Sequence, residues 1–143
     1  MQKSYLALGC FWKPEETFRQ ITGVLETEVG YAGGNHSITS YEEVCTGKTG
    51  HTETVKLTFD EKIISYENIL EIFFKIHDPT QKDMQYPDIG TQYRSEIFYE
   101  NEQQKKIAEK YKKKLMKNLI KKLKQIFQKL KIIVKLKNTT KSI

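Results

Sequence analysis

Cysteine is nearly missing from this chain: it occurs twice in 143 residues, at Cys10 and Cys45. Two cysteines cannot build the disulfide framework of a small secreted domain. Neither stands in Cys-x-x-Cys or Cys/His zinc spacing, so a metal site is not expected and a reducing cytoplasm is the expected compartment. No apolar run approaches the roughly 18 residues that a membrane span needs. The N-terminus lacks a basic region followed by a long apolar segment, so no signal peptide is expected. The three histidines, His36, His51 and His77, show no i, i+4 pairing and read as hydrogen-bonding loop or helix-end residues rather than ligands. "GKT" at Gly47–Thr49 has Glu42 where a phosphate-binding loop requires glycine, which excludes that motif. There is no internal repeat.

What is present suffices for one globular domain. Hydrophobic residues make up 38% and aromatic residues 11% of the chain, enough for a real core at this length. The net charge of +6 conceals a division. Up to Glu100 there are 9 basic and 16 acidic residues, a net of −7; from Asn101 onward 15 lysines face 2 glutamates, a net of +13. An acidic body is thus followed by a strongly basic tail.

The pattern predicts a mixed α/β chain. "SYLALG" reads as a buried strand. A helix should follow, because Pro14 suits a first turn and Glu15 and Glu16 suit its positive end. "VLETEVGYAGG" reads as a strand running into a glycine-rich loop, and "TSYEEVCTG" as a short helix capped by Thr39 or Ser40. Val55, Leu57 and Phe59 alternate with the strand period. Ser65 caps a helix whose apolar stripe is Ile69, Ile72, Phe73 and Ile76. "YRSEIFY" is another strand. Asn101 and Gln104 have capping-box spacing at the start of a long helix.

A strand ending in Gly9, then Cys10, then a helix, sets a thiol among unpaired backbone N–H groups. Those donors and the helix dipole favour thiolate, so the Cys10 thiol is expected to titrate below an ordinary cysteine. A buried structural cysteine is the alternative on spacing alone. A cysteine–histidine hydrolase would need a histidine base against the thiol, which nothing in the spacing places there.

"GCFWKPE" resembles the active-site signature of the A-type peptide methionine sulfoxide reductases. "VGYAGG", "SYEEVCTGKTGHTETV" and "PDIGTQYRSEIFY" resemble the other blocks of that family, in the same order. The likeness covers about residues 4–110. It implies a two-layer α/β sandwich around a mixed sheet with flanking helices. It implies reduction of the S epimer of methionine sulfoxide, in oxidised proteins and peptides or as the free amino acid. It also implies residue roles. Cys10 would be the nucleophile on the sulfoxide sulfur. Glu53 would be the acid that protonates the departing oxygen, its pKa raised by burial. Tyr41 and Tyr93 would hydrogen-bond that oxygen, Asp88 would help polarise the site, and Phe11 and Trp12 would wall the pocket for the methyl group.

Attack would leave a sulfenic acid on Cys10, which a thiol must reduce. Relatives often carry resolving cysteines near the C-terminus, whereas here no cysteine follows Cys45. Cys45 is read as structural, and direct reduction by thioredoxin or another thiol is implied, with no other cofactor. Lys13 and the "MQYPD" stretch depart from the family pattern near the substrate loop.

The division expected is a catalytic domain over 1–110 and an atypical, Lys-rich helical tail over 111–143. Two explanations of the tail stand open. One is a basic amphipathic helix that binds nucleic acid or an anionic membrane; aromatic interleaving for base stacking is lacking. The other is a shifted reading frame, since freely chosen codons from Asn118 give a neighbouring frame resembling the family's ending. A truncation after Leu115 is expected to leave stability little changed. The functional reading is a thiol-dependent methionine sulfoxide reductase with no specific nucleic-acid partner. The rival is an inactive scaffold carrying a basic binding tail.

Overall fold

A computed structural model describes residues 1–10, 12–34, 50–78, 84–85, 88–89, 93–129, 131–137 and 139–141. The strands are β1 (Gln2–Leu8), β2 (Val24–Ala32), β3 (Thr52–Phe59), β4 (Met84–Gln85), β5 (Asp88–Ile89), β6 (Ser95–Tyr99), β7 (Ile133–Lys135) and β8 (Thr140–Lys141). The helices are α1 (Trp12–Arg19), α2 (Tyr66–Lys75), α3 (Glu102–Met116) and α4 (Lys121–Lys129). Six strands form one mixed sheet in the order β7-β6-β1-β3-β2-β8; β6 and β7 run parallel and the other neighbours antiparallel. The short β4–β5 pair stands apart, so the "MQYPD" stretch holds a two-strand ladder where the sequence reads as loop.

Strand alternation decides which face is covered. Leu6 lies opposite Val55 across the β1–β3 ladder, and Leu6, Leu8, Val55, Leu57 and Phe59 join one buried cluster. Residues from every helix complete it: Phe18 of α1, Ile69, Leu70 and Phe73 of α2, Ala108 of α3 and Phe127 of α4. All four described helices therefore share one core with one sheet face, the expected two-layer arrangement. The opposite face holds a smaller cluster of Ala7, Ala32 and Phe98, flanked by Tyr5, Val134 and Leu136.

The helix starts follow their caps. Ser65 accepts a hydrogen bond from the Asn68 backbone N–H at 3.1 Å. Ile76 caps the end of α2 and is exposed, so the apolar stripe stops at Phe73, three residues earlier than the spacing predicts. At α3, Asn101 Oδ1 accepts from the Gln104 N–H at 2.9 Å. The return bond runs from the Glu100 N–H to Gln104 Oε1 at 3.0 Å, one residue before the cap. Gln104 also donates to the Lys3 carbonyl at 2.8 Å, tying α3 to β1.

The basic segment is only partly the helical tail that its composition suggests. It holds α4, but β7 and β8 follow as strands of the main sheet. Phe127 and Ile132 are each 1% exposed. The Ile97 N–H donates to the Ile132 carbonyl at 2.7 Å, and the Leu136 N–H to the Tyr99 carbonyl at 3.0 Å. The expectation that residues beyond Leu115 contribute little to packing therefore gives way. Lysine dominates the count, but a few apolar residues at helical and strand spacing reach the core while the ammonium groups stay in water.

Candidate functional site

The sheet register brings the chemistry to one end. β1 runs toward Cys10 and pairs antiparallel with β3, Leu6 against Val55. Two residues onward along β1 is Leu8, and two residues back along β3 is Glu53. Leu8 also lies opposite Ser95, the first residue of β6. On the far side of β3, Tyr31 lies opposite Glu53 and Ala32 opposite Thr52. Four chain segments therefore meet at this end: Gly9–Cys10, Tyr31–Gly34, Gly50–Glu53 and Tyr93–Ser95.

Cys10 is a half-buried thiol between β1 and α1. Gly9, with φ +97°, makes the turn that releases the chain from the strand, a conformation L side chains rarely adopt. Glu15 and Arg19 stand at the N- and C-terminal ends of α1, each complementing its dipole. Trp12, the first residue of α1, is 59% exposed. A large indole left in water beside the thiol offers apolar surface to an incoming side chain.

Glu53 is 3% exposed on a strand whose alternate residues enter the core. Charge is costly at such a position unless it is compensated. Tyr93 is half-buried just ahead of β6. The structure thus sets Cys10, Trp12, Glu53 and Tyr93 at the same end of the sheet. Phe11, Tyr41 and Cys45 lie outside the described residues, as does the short helix expected around Tyr41. Asp88 is placed by its backbone alone, in β5.

Two features of this end were not found by reading the sequence. One is His51, 1% exposed immediately before β3. Its imidazole packs so closely on Gly34 that a Cβ there would overlap the ring. The "YAGG" run therefore provides room as well as a turn. The other is a polar cluster built on Arg94. Its Nε is ion-paired with Glu96 Oε1, and both side chains are largely buried. Its Nη2 donates to the Gly50 carbonyl at 2.7 Å, and Thr52 Oγ1 donates to the Arg94 carbonyl at 3.4 Å. The contacts with Gly50 and Thr52 span more than 40 residues, so no local motif signals them. His77, by contrast, stands at a helix end as expected, its Nδ1 2.5 Å from the Phe73 carbonyl.

No described helix is long and apolar enough to cross a membrane. Among the described residues, no group of three or more His, Cys, Asp or Glu side chains is placed to hold a metal ion.

The family "Peptide methionine sulfoxide reductase" matches residues 2–140, which includes most of the basic segment. A Pelagibacter ubique protein named peptide methionine sulfoxide reductase MsrA is 58% identical over 115 residues, 80% of this chain and 78% of that protein. A Methanosarcina acetivorans protein of the same name is 56% identical over 108 residues, 76% of this chain but 57% of that longer protein. Among solved structures, reduced Mxr1 from Saccharomyces cerevisiae superimposes with a TM-score of 0.79 at 30% identity, covering 99% of this chain and 80% of that one.

Proposed function

The chain belongs to the peptide methionine sulfoxide reductase family, and from that premise we propose that it reduces methionine S-sulfoxide with Cys10 as nucleophile and Glu53 as acid. The observation that carries this reading is the junction of a thiol at a strand-to-helix turn with a buried carboxyl at the same sheet end.

Cys10 Sγ attacks the sulfoxide sulfur as its S–O bond weakens. Oxide is a poor leaving group, so the oxygen must gain a proton, and a protonated Glu53 supplies it. Tyr93 and Tyr41 donate hydrogen bonds to the same oxygen, which phenols do without ionising at neutral pH. Trp12 and Phe11 form the apolar wall for the methyl group, and Asp88 helps to polarise the site. The attack forms an S–S bond as the protonated oxygen leaves as hydroxide. Hydroxide or water then attacks Cys10 Sγ and breaks that bond, releasing methionine and leaving Cys10 as the sulfenic acid. The sulfoxide sulfur is thus reduced by two electrons and the cysteine oxidised by two. An external thiol then condenses with the sulfenic acid, releasing water and leaving a mixed disulfide. A second thiol opens it and restores Cys10. Thioredoxin is the reductant we assign, as membership of the family implies. Oxidised proteins, peptides and free methionine sulfoxide are the substrates, and the cytoplasm the compartment.

The catalytic residues all fall within 1–110, so that segment carries the chemistry. The rest of the chain acts on it through packing. An inactive scaffold with a free binding tail is the less favoured reading, because Phe127 and Ile132 are committed to the core.

The test is reduction of a dabsylated methionine sulfoxide peptide with dithiothreitol. The S epimer should be consumed and the R epimer left, and Cys10→Ser should be inert. Failure of the wild-type chain to consume the S epimer would overturn the reading.

A further inference from the structure

The Arg94 cluster touches three strand ends that meet at the site, yet the mechanism above gives it no role. Its guanidinium binds the Glu96 carboxylate through Nε and the Gly50 carbonyl through Nη2. The Arg94 carbonyl in turn accepts from Thr52 Oγ1. A Cβ at Gly33, whose φ is +77°, would come within 2.8 Å of the Phe98 ring and 3.1 Å of Arg94 Nη2. Gly33 thus lets the end of β2 close over the same guanidinium. Gly50 stands three residues before Glu53, and Tyr93 immediately precedes Arg94.

We propose that Arg94, held by Glu96, is a positioning residue that clasps the start of β3 to the start of β6. It thereby sets Glu53 and Tyr93 together about the sulfoxide oxygen. The proposal rests on the assignment of Glu53 and Tyr93 above.

The physical basis is the guanidinium itself. It is planar, always charged and carries five donors in a rigid fork. It can bind a carboxylate on one edge and a carbonyl on another without freedom to rotate between them. Charge-assisted bonds of this kind hold geometry more tightly than neutral ones. An ammonium at the same place reaches one of the two acceptors as a point charge, so lysine replaces the attraction but not the angle. Proton donation to oxygen is sensitive to this, since the donor must stand within hydrogen-bond reach of the atom that gains the proton.

The experiment compares wild type, Arg94→Met, Arg94→Lys and Glu96→Gln in single-turnover reduction of a methionine sulfoxide peptide, with sulfenic acid formation on Cys10 as the readout. Measurements are made at a temperature where circular dichroism shows each variant folded. The maximal rate should fall by roughly tenfold or more in Arg94→Met, with the half-saturating concentration changed by less than threefold. Arg94→Lys should recover part of the rate, and Glu96→Gln should lie between wild type and Arg94→Met. If Arg94→Met does not fold, Arg94→Lys and Glu96→Gln decide: a lower maximal rate in both at unchanged half-saturation supports the proposal. Lowered melting temperature with an unchanged maximal rate would mean that the cluster is structural only, and would overturn it. An inactive wild type would instead overturn the function on which the proposal rests, so the two failures are distinguishable.

Discussion

Glu53 lies directly across from Tyr31 in the β2–β3 ladder, and each is 3% exposed. A carboxyl held there is kept from bulk water on the core face of the sheet. This suits a group that has to carry a proton to its target. Glu53→Gln preserves the shape and the capacity to hydrogen-bond but has no acidic proton to deliver. It should fold like the wild type and slow sulfenic acid formation by ~10²-fold or more, the scale of lost general-acid catalysis. Single-turnover rates that match wild type would show that the proton comes from elsewhere. Tyr93→Phe should cost less, because the other donors still hold the oxygen.

The two cysteines should separate cleanly in function. Cys10→Ser should abolish turnover, because a hydroxyl is scarcely ionised at neutral pH and is a far weaker nucleophile. In the wild type, mass spectrometry after sulfoxide treatment should find a dimedone adduct on Cys10. Cys45→Ser should retain steady-state turnover with dithiothreitol or thioredoxin. A Cys10–Cys45 disulfide that accumulates after one turnover, together with lost turnover in Cys45→Ser, would make Cys45 the resolver instead.

How much of this was legible beforehand depends on the distance over which each feature is encoded. Cys10 at a strand-to-helix turn is written in seven consecutive residues, and the alternation of Val55, Leu57 and Phe59 marks β3 locally. Glu53 was placed by a block resemblance, since a lone strand glutamate looks solvent-facing until the sheet register buries it. The Arg94–Gly50 bond joins residues 44 apart, and its existence depends on how β3 and β6 flank β1, which no local pattern contains. His51 escaped for the same reason: its burial depends on the close approach of Gly34. The burial of Phe127 and Ile132 in the tail is not legible in composition, which counts lysines, whereas burial is decided by the few apolar residues that meet the body.

That last point can be measured. Phe127 packs edge-on to Phe74, with ring centroids 6.0 Å apart, beneath the Lys112 ammonium at 5.5 Å. Phe127→Ala should destabilise the chain by about 3 kcal/mol, the usual cost of emptying a buried aromatic site. Lys121→Ala, on the exposed side of α4, should stay within roughly 0.5 kcal/mol of wild type. Truncation after Leu115 should cost more than Phe127→Ala, because it also removes Ile132 and the β7 strand. Equal urea midpoints for the truncated and full chains would show that the basic segment does not pack in solution.

His77 gives the chain a stability term with a definite pH sign. Burial pulls its pKa from 6.5 down to about 4, while the bond to the Phe73 carbonyl and the nearby Asp78 act weakly in the opposite direction. Neutral imidazole donates from Nδ1 to that carbonyl and rests edge-on against the Phe73 ring, with centroids 4.4 Å apart. Its buried Nε2 has no hydrogen-bond partner among the described residues. Between pH 6.5 and 4 the unfolded chain binds a proton at His77 that the folded chain does not. Stability therefore rises with pH through this window; the contribution is complete above pH 6.5 and is lost as pH falls toward 4. The lowered pKa corresponds to at most about 3 kcal/mol. His77→Gln keeps a side-chain amide able to donate to the Phe73 carbonyl but does not titrate. Urea unfolding of both proteins at pH 7.5 and pH 4.5 isolates the histidine from the carboxylates, whose titration is common to the two. Wild type should lose more stability than His77→Gln on acidification, by on the order of 1–3 kcal/mol. Identical losses would show that the fold does not hold the His77 pKa down.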